Sequence, residues 1–112
     1  KDKTTRMLNN LVKNAIQAIP NERQGFVKVS TQPTTDGFVK IAVADNGKGI
    51  PEDAQKHIFE LHFTTKSSGS GFGLAICKSI VDASQGKIYF ETEIDVGTTF
   101  FVELPLVSNK NE

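Results

Sequence analysis

The sequence predicts an α+β domain of two layers, with about three helices packed on one face of a mixed, mainly antiparallel sheet. Two segments, residues 4–19 and 72–84, repeat apolar side chains at helical period. Four shorter segments are rich in β-branched and aromatic residues and fall into two pairs, each joined by a short turn. The resulting order is helix, hairpin, short helix, loop, helix, hairpin. Hairpins give antiparallel pairs, and helices segregated between them favour one face of the sheet. The other face is then partly solvated or covered by a partner.

Each element has a local reason. In residues 4–19, Met7, Leu8, Leu11, Val12, Ala15, Ile16 and Ile19 share one broad face. Thr4 or Thr5 can cap the start, and Pro20 with Asn21 marks the end. Arg6, Asn10, Asn14 and Gln17 form a polar stripe beside that face. Residues 26–31 alternate and read as a strand, Thr35-Asp36-Gly37 signals a hairpin, and residues 38–44 return with Val39, Ile41 and Val43 on one side. Pro51-Glu52-Asp53 opens a short helix running to about Ile58. Residues 60–70 have no sustained period and end in Ser67-Ser68-Gly69-Ser70-Gly71, which predicts a mobile loop. In residues 72–84, Leu74, Ala75, Cys77, Ile80 and Val81 point inward, and Gly86 stands where a left-handed residue closes the helix. Residues 87–92 and 98–104 are the last two strands, joined at Asp95-Val96-Gly97, and 107–112 read as a polar tail.

At 112 residues the chain is one domain with one modest core, without internal repeat or linker. It opens at Lys1 without a methionine and enters a helix almost at once, which predicts a piece of a longer protein. The formal net charge is zero, so nothing points to nucleic acid or to an anionic membrane surface. Apolar runs are too short to span a bilayer, and no signal-peptide pattern is present. The single cysteine, Cys77, sits in the apolar face of a helix and reads as a buried reduced thiol.

Chemistry concentrates in glycine-rich and amide-bearing segments. Asp45-Asn46-Gly47-Lys48-Gly49-Ile50 follows a strand, where a carboxylate can accept a hydrogen bond from an exocyclic amine; an ordinary turn aspartate is the alternative. Gly47 and Gly49 permit close backbone approach to a flat base and torsions closed to other residues, and Ile50 adds an apolar wall. Asn14 offers a hard, neutral amide oxygen of the kind magnesium takes beside phosphate oxygens and water; for an isolated residue, a helix-surface asparagine with a local hydrogen bond is the commoner alternative. Gly69, Gly71 and Gly73 precede Leu74 and a helix, whose first N–H groups suit phosphate. The pattern lacks the Gly-Lys-Ser/Thr of a P-loop, and a loop rather than a strand precedes it. His57 and His62 have no acidic neighbour at the next position, and no metal-ligand cluster or Ser-His-Asp arrangement is evident.

Four blocks stand in order: Asn10-Leu11-Val12-Lys13-Asn14-Ala15, Asp45 to Ile50, Phe59-Glu60-Leu61-His62-Phe63-Thr64-Thr65-Lys66, and Gly69-Ser70-Gly71-Phe72-Gly73-Leu74. Together they resemble the N, G1, F and G2 boxes of the ATP-binding domain of bacterial sensor histidine kinases, members of the GHKL ATPases with the Bergerat fold. Gly97-Thr98-Thr99-Phe100 is similar to the family's last block. The resemblance runs from about Arg6 to Leu106.

The resemblance implies a two-layer Bergerat sandwich that binds Mg-ATP, with ATP and Mg2+ as the bound groups. It makes Asn14 the magnesium ligand and Asp45 the acceptor for the adenine amine, with Gly47, Gly49 and Ile50 around the base. Phe59 and Phe63 anchor the ATP lid, Thr65 belongs to it, and Gly69, Gly71, Gly73 and Leu74 border the phosphates. Thr98 or Thr99 reaches toward the adenine pocket or Asp45. Lys66 is the cation available to the γ-phosphate, with a solvated surface lysine as the equal rival; Gln17 occupies a position often basic in sensor kinases. Phe63-Thr64-Thr65-Lys66 and Gln17 look like the nitrogen-regulation subgroup. Hydrolytic GHKL members carry a water-activating Glu where this chain has Asn10, and an amide cannot take that proton. The family usually has a further strand before its first helix, which this chain begins too late to contain in full. The implied reaction is γ-phosphoryl transfer to a His on a separate dimerisation domain in a homodimeric parent, then to a response regulator, in the cytoplasm. A serine kinase of anti-sigma type and a non-catalytic nucleotide-binding or docking module are the alternatives.

Overall fold

The structure, a computed structural model, describes residues 2–59 and 73–105. Its elements are α1 (Asp2–Gln17), β1 (Val27–Pro33), β2 (Phe38–Asp45), α2 (Glu52–Gln55), α3 (Gly73–Ala83), β3 (Lys87–Glu93) and β4 (Gly97–Pro105). The strands form one sheet in the order β1-β2-β4-β3, and all three pairings are antiparallel. The two hairpins therefore join through β2 and β4, with Ile41 opposite Val102, Val43 opposite Phe100 and Asp45 opposite Thr98. The prediction of helices on one face of an antiparallel sheet holds; among the described residues the sheet has no parallel pair.

Period-two alternation explains which side is covered. Ile41, Val43, Phe100 and Val102 are buried on the helix side, where they meet Met7, Leu11 and Ala15 of α1 and Cys77 and Val81 of α3. Met7, Leu11 and Ala15 recur every four residues and are almost completely buried. Full burial of a Leu side chain stabilises by about 1.5–3 kcal/mol. The inward face of α1 is narrower than predicted, because Ile16 is 57% exposed. It opens with Ile19, Phe26 and Val27 onto a groove of about 350 Å³ between α1 and β1.

Several boundary details depart from the sequence reading, and α2 ends at Gln55 rather than near Ile58. α1 begins at Asp2, so Thr4 and Thr5 lie inside the helix rather than capping it. α1 ends as a tight turn, with Ala18 N–H shared between the carbonyls of Asn14 and Ala15, and Pro20 lacks the N–H to continue it. At the end of α3 the left-handed residue is Gln85, at φ 64°, and not Gly86. Gly86 N–H closes the helix on Val81 O at 2.9 Å. Gly86 is glycine for a different reason: a Cβ there would stand 2.2 Å from Glu103 O. The first hairpin is as predicted, with Gly37 at φ 85°. Thr34 Oγ1 accepts the Phe38 N–H and donates to the Asp36 carboxylate, which holds that carboxyl below its ordinary range.

On the opposite face, which carries no helix among the described residues, Tyr89 stacks on Phe101 and Lys40 lies 5.1 Å from the Phe101 ring centre. Tyr89 donates its hydroxyl to Glu103, and that bond pushes the phenol up to about 12.

Candidate nucleotide site

Asp45 ends β2 on the helix side of the sheet and is only 7% exposed. Its Oδ1 accepts the Gly47 N–H at 2.8 Å and the Thr98 N–H at 3.3 Å. A buried carboxylate costs several kcal/mol in desolvation unless hydrogen bonds compensate, and backbone donors from two segments do so here. Thr98 is buried beside it, as its pairing with Asp45 requires. Thr99, one residue on, falls on the opposite face of the sheet by the same alternation and so stands apart from Asp45.

The loop after Asp45 is held by several neighbouring segments. Lys48 N–H donates to Ala18 O at the end of α1 (3.1 Å), and Lys48 O accepts Asp95 N–H from the β3–β4 turn (2.8 Å). Ile50 N–H donates to Thr92 Oγ1 at 2.9 Å, and Gln55 Nε2 donates to Ile50 O at 3.0 Å. Thr92 Oγ1 also hydrogen-bonds Thr98 Oγ1 at 2.8 Å, so the loop's end and the floor beneath Asp45 share one hydroxyl pair. Both loop glycines are required by close approach to the protein's own backbone. A Cβ on Gly47 would lie 2.6 Å from Ala18 O, and one on Gly49 would lie 2.6 Å from Glu93 O. Gly49 also has φ 83°, the left-handed torsion predicted for the loop.

Asn10 and Asn14 are half-buried and one helical turn apart, so they share a side of α1. Asn14 stands one turn before Ala18, whose carbonyl holds Lys48, so α1 carries the two amides toward the Asp45 end of the sheet. Arg6 and Gln17 are exposed at the margin of the stripe. Ile50 and Leu74 pack against the core, Leu74 from the first turn of α3, which Gly73 opens. Phe59 lies edge-on to Phe90 and Phe100, with ring centres 6.2 and 6.4 Å apart. Phe63, Thr65, Lys66, Gly69 and Gly71 lie outside the described residues, as does His62.

Three residues that support this loop carry no sequence signal of their role. Arg23 Nη1 donates to Asn46 O at 2.7 Å and to Gly47 O at 2.8 Å. Asn46 Oδ1 accepts Phe26 N–H at 2.8 Å while its Nδ2 donates to Gln24 O at 3.1 Å. Thr92 is the third. Asn46 lies within the glycine-rich block, which does not single it out; Arg23 and Thr92 are distant in sequence, and only the fold brings them in.

Cys77 is buried, its Sγ 3.5 Å from Met7 O, and burial pushes the thiol up to about 12. That is an inert core thiol, as the helical pattern predicts. Among the described residues no three His, Cys, Asp or Glu side chains gather as a metal cage, and no helix is long and apolar enough to cross a membrane.

Comparison with known proteins agrees with this geometry. Residues 1–108 match the family described as histidine kinase-, DNA gyrase B-, and HSP90-like ATPase. The chain is 42% identical over 105 residues to the sensor histidine kinase ZraS of Escherichia coli strain K12, covering 94% of this chain and 22% of ZraS. It superposes on the catalytic domain of histidine kinase ThkA with a TM-score of 0.80 at 36% identity, covering 93% of this chain and 66% of that one. Full-length ShkA in complex with AMPPNP gives a TM-score of 0.83 at 29% identity, covering 96% of this chain and 22% of ShkA. The chain thus spans about a fifth of the length of curated relatives such as ZraS. With a match over nearly its whole length, an antiparallel sheet under helices and the glycine-rich loop at Asp45, the chain belongs to the histidine kinase-, gyrase B- and HSP90-like ATPase family, in the company of bacterial sensor histidine kinases.

Proposed function

We propose that this domain binds Mg-ATP and presents its γ-phosphoryl group to a histidine on a separate dimerisation domain, in a two-component pathway that ends on a response regulator. The observation that supports it most is the buried Asp45 carboxylate, hydrogen-bonded by Gly47 and Thr98 within a loop fixed on several sides. A preorganised acceptor of this kind suits the exocyclic amine of adenine. Gly49 and Ile50 belong to the same loop, Thr98 lies beside the carboxylate, and Thr99 faces the other side of the sheet, while Phe59 and Gln17 are read as flanking the site.

Magnesium fits the donor set. Asn14 would hold the ion through one neutral amide oxygen, a donor set that suits an ion which keeps most of its ligands as water and phosphate oxygens. The chemistry such an ion would supply when bound is positive charge against the phosphate oxygens. The chain's own contributions are orientation and charge. Asp45 fixes the base, the α3 start at Gly73 and Leu74 with Gly69 and Gly71 borders the phosphates, and Lys66, Phe63 and Thr65 complete the lid. In the transfer, the bond from phosphorus to the β,γ-bridging oxygen breaks and a bond to the imidazole nitrogen forms, leaving ADP. Asn10 lacks the basicity to activate water, so the phosphoryl group is retained for the acceptor. The Phe63-Thr64-Thr65-Lys66 block and Gln17 support a nitrogen-regulation-like subgroup. The neutral net charge gives no reason for nucleic-acid or direct membrane contact, and the use of ATP with a reduced thiol supports a cytoplasmic domain of a homodimeric parent, itself free or anchored in the inner membrane.

The test is autophosphorylation with labelled ATP. The isolated domain is expected to show none, and addition of a dimerisation domain carrying the acceptor His is expected to yield acid-labile label on that histidine. Label on serine of an added partner would instead support the anti-sigma-type kinase.

A further inference from the structure

Arg23 lies in the segment joining α1 to β1 and is half-buried. Its Nη1 donates to two successive carbonyls, Asn46 O at 2.7 Å and Gly47 O at 2.8 Å. That nitrogen carries two N–H groups, so both bonds form together. In a planar trans peptide the C=O and the following N–H point in opposite directions. The peptide whose carbonyl Arg23 holds at Asn46 therefore directs the Gly47 N–H away from Arg23, and that N–H donates to Asp45 Oδ1 at 2.8 Å. The next peptide behaves alike: Arg23 holds Gly47 O, and the opposite end, Lys48 N–H, donates to Ala18 O at 3.1 Å. One guanidinium thus sets two peptide planes, one of which ends on the carboxylate and the other on α1.

From this geometry we infer that Arg23 is a positioning residue for base recognition, acting through the Asn46–Gly47 peptide on the Asp45 carboxylate. The inference rests on the reading of Asp45 as the adenine acceptor. A charged donor on the carbonyl polarises the peptide and strengthens its N–H as a donor, so Arg23 also stiffens the Gly47–Asp45 bond. Arg23 is itself held. Its N–H donates to Pro20 O at 3.1 Å, and the Asn46 side chain ties down Gln24 O and Phe26 N–H on the same segment. The contact is reciprocal: Asn46 fixes the segment that carries Arg23, and Arg23 fixes the peptide that follows Asn46.

The experiment compares Mg-ATP with Mg-GTP, by competition against a fluorescent ATP analogue, on the wild-type chain, Arg23→Met and Arg23→Lys, with a thermal melt of each. Arg23→Met is expected to lose about tenfold in ATP affinity, the scale of one charge-assisted hydrogen bond, while GTP affinity stays level, so the ATP/GTP preference falls with it. Arg23→Lys, which keeps the charge on a shorter side chain without the planar guanidinium, is expected to fall between wild type and Arg23→Met. Equal loss for both nucleotides, or no loss in a folded Arg23→Met, overturns the inference, because a merely structural residue would not move the preference. If Arg23→Met does not fold, the same ratio measured on Arg23→Lys decides. A wild-type chain with no preference for ATP overturns the adenine reading itself and this inference with it.

Discussion

Asp45 and Thr98 face each other across β2 and β4, and the Asp45 carboxylate accepts the Thr98 N–H at 3.3 Å. Below them, Thr98 Oγ1 meets Thr92 Oγ1 at 2.8 Å, and Thr92 Oγ1 accepts the Ile50 N–H at 2.9 Å. Replacing Thr92 by Val keeps the shape and removes the shared hydroxyl. It leaves the Ile50 N–H without that acceptor and is expected to cost about 1–3 kcal/mol. Thr92→Ser is expected to stay within about 0.5 kcal/mol of wild type. Chemical denaturation of both variants checks this.

The loop glycines differ in why they resist substitution. Gly47→Ala drives a methyl against Ala18 O, and Gly49→Ala both meets Glu93 O and forces a left-handed torsion on alanine. Both are expected to destabilise the fold, Gly49→Ala the more, by an extra 1–2 kcal/mol, roughly the cost of that torsion for an L-residue. Thermal melts of the pair give the order directly.

The end of α3 offers an opposite pair of effects. Gln85 occupies a left-handed torsion that glycine adopts freely, so Gln85→Gly is expected to stabilise by about 0.5–1 kcal/mol. Gly86→Ala, whose methyl would meet Glu103 O, is expected to destabilise strongly. Destabilisation by Gln85→Gly, or a Gly86→Ala that melts like wild type, would contradict this assignment.

Cys77 gives the pH dependence. Its thiol is pushed from 9.0 to about 12, so the folded state holds the proton more tightly than the unfolded chain. The stability this reflects is intact below pH 9.0 and is lost as pH rises toward about 12. Tyr89, also pushed up to about 12, adds to the same alkaline slope. Cys77→Ala is expected to flatten part of that slope, measured by urea midpoints between pH 8 and 10. In the native state Cys77 is expected to resist a thiol reagent at pH 8 and to react once unfolded.

Most elements were legible because their causes are local. The apolar repeat of Met7, Leu11 and Ala15, the Asp36-Gly37 turn and the Pro51 start each act within a few residues. Strand order was not legible, because the union of β2 with β4 joins residues such as Asp45 and Thr98, 53 apart in sequence. The same distance hid Arg23 and Thr92. Gly86 misled for a related reason: its position beside a helix end suggested a torsion, whereas its neighbour Glu103, on another strand, imposes the glycine. Within the site, Asp45, Gly47, Gly49, Ile50 and Thr98 come together as the blocks suggested, while Thr99 falls on the other face of the sheet.

The most direct test is calorimetry of Mg-ATP binding on the wild-type chain, Asp45→Asn and Asn14→Ala. The account predicts binding by the wild type, a loss of about 10- to 100-fold in Asp45→Asn, the range of a hydrogen bond to a charged group, and loss of magnesium dependence in Asn14→Ala. No binding by the wild type at millimolar nucleotide, or undiminished binding by a folded Asp45→Asn, would contradict it.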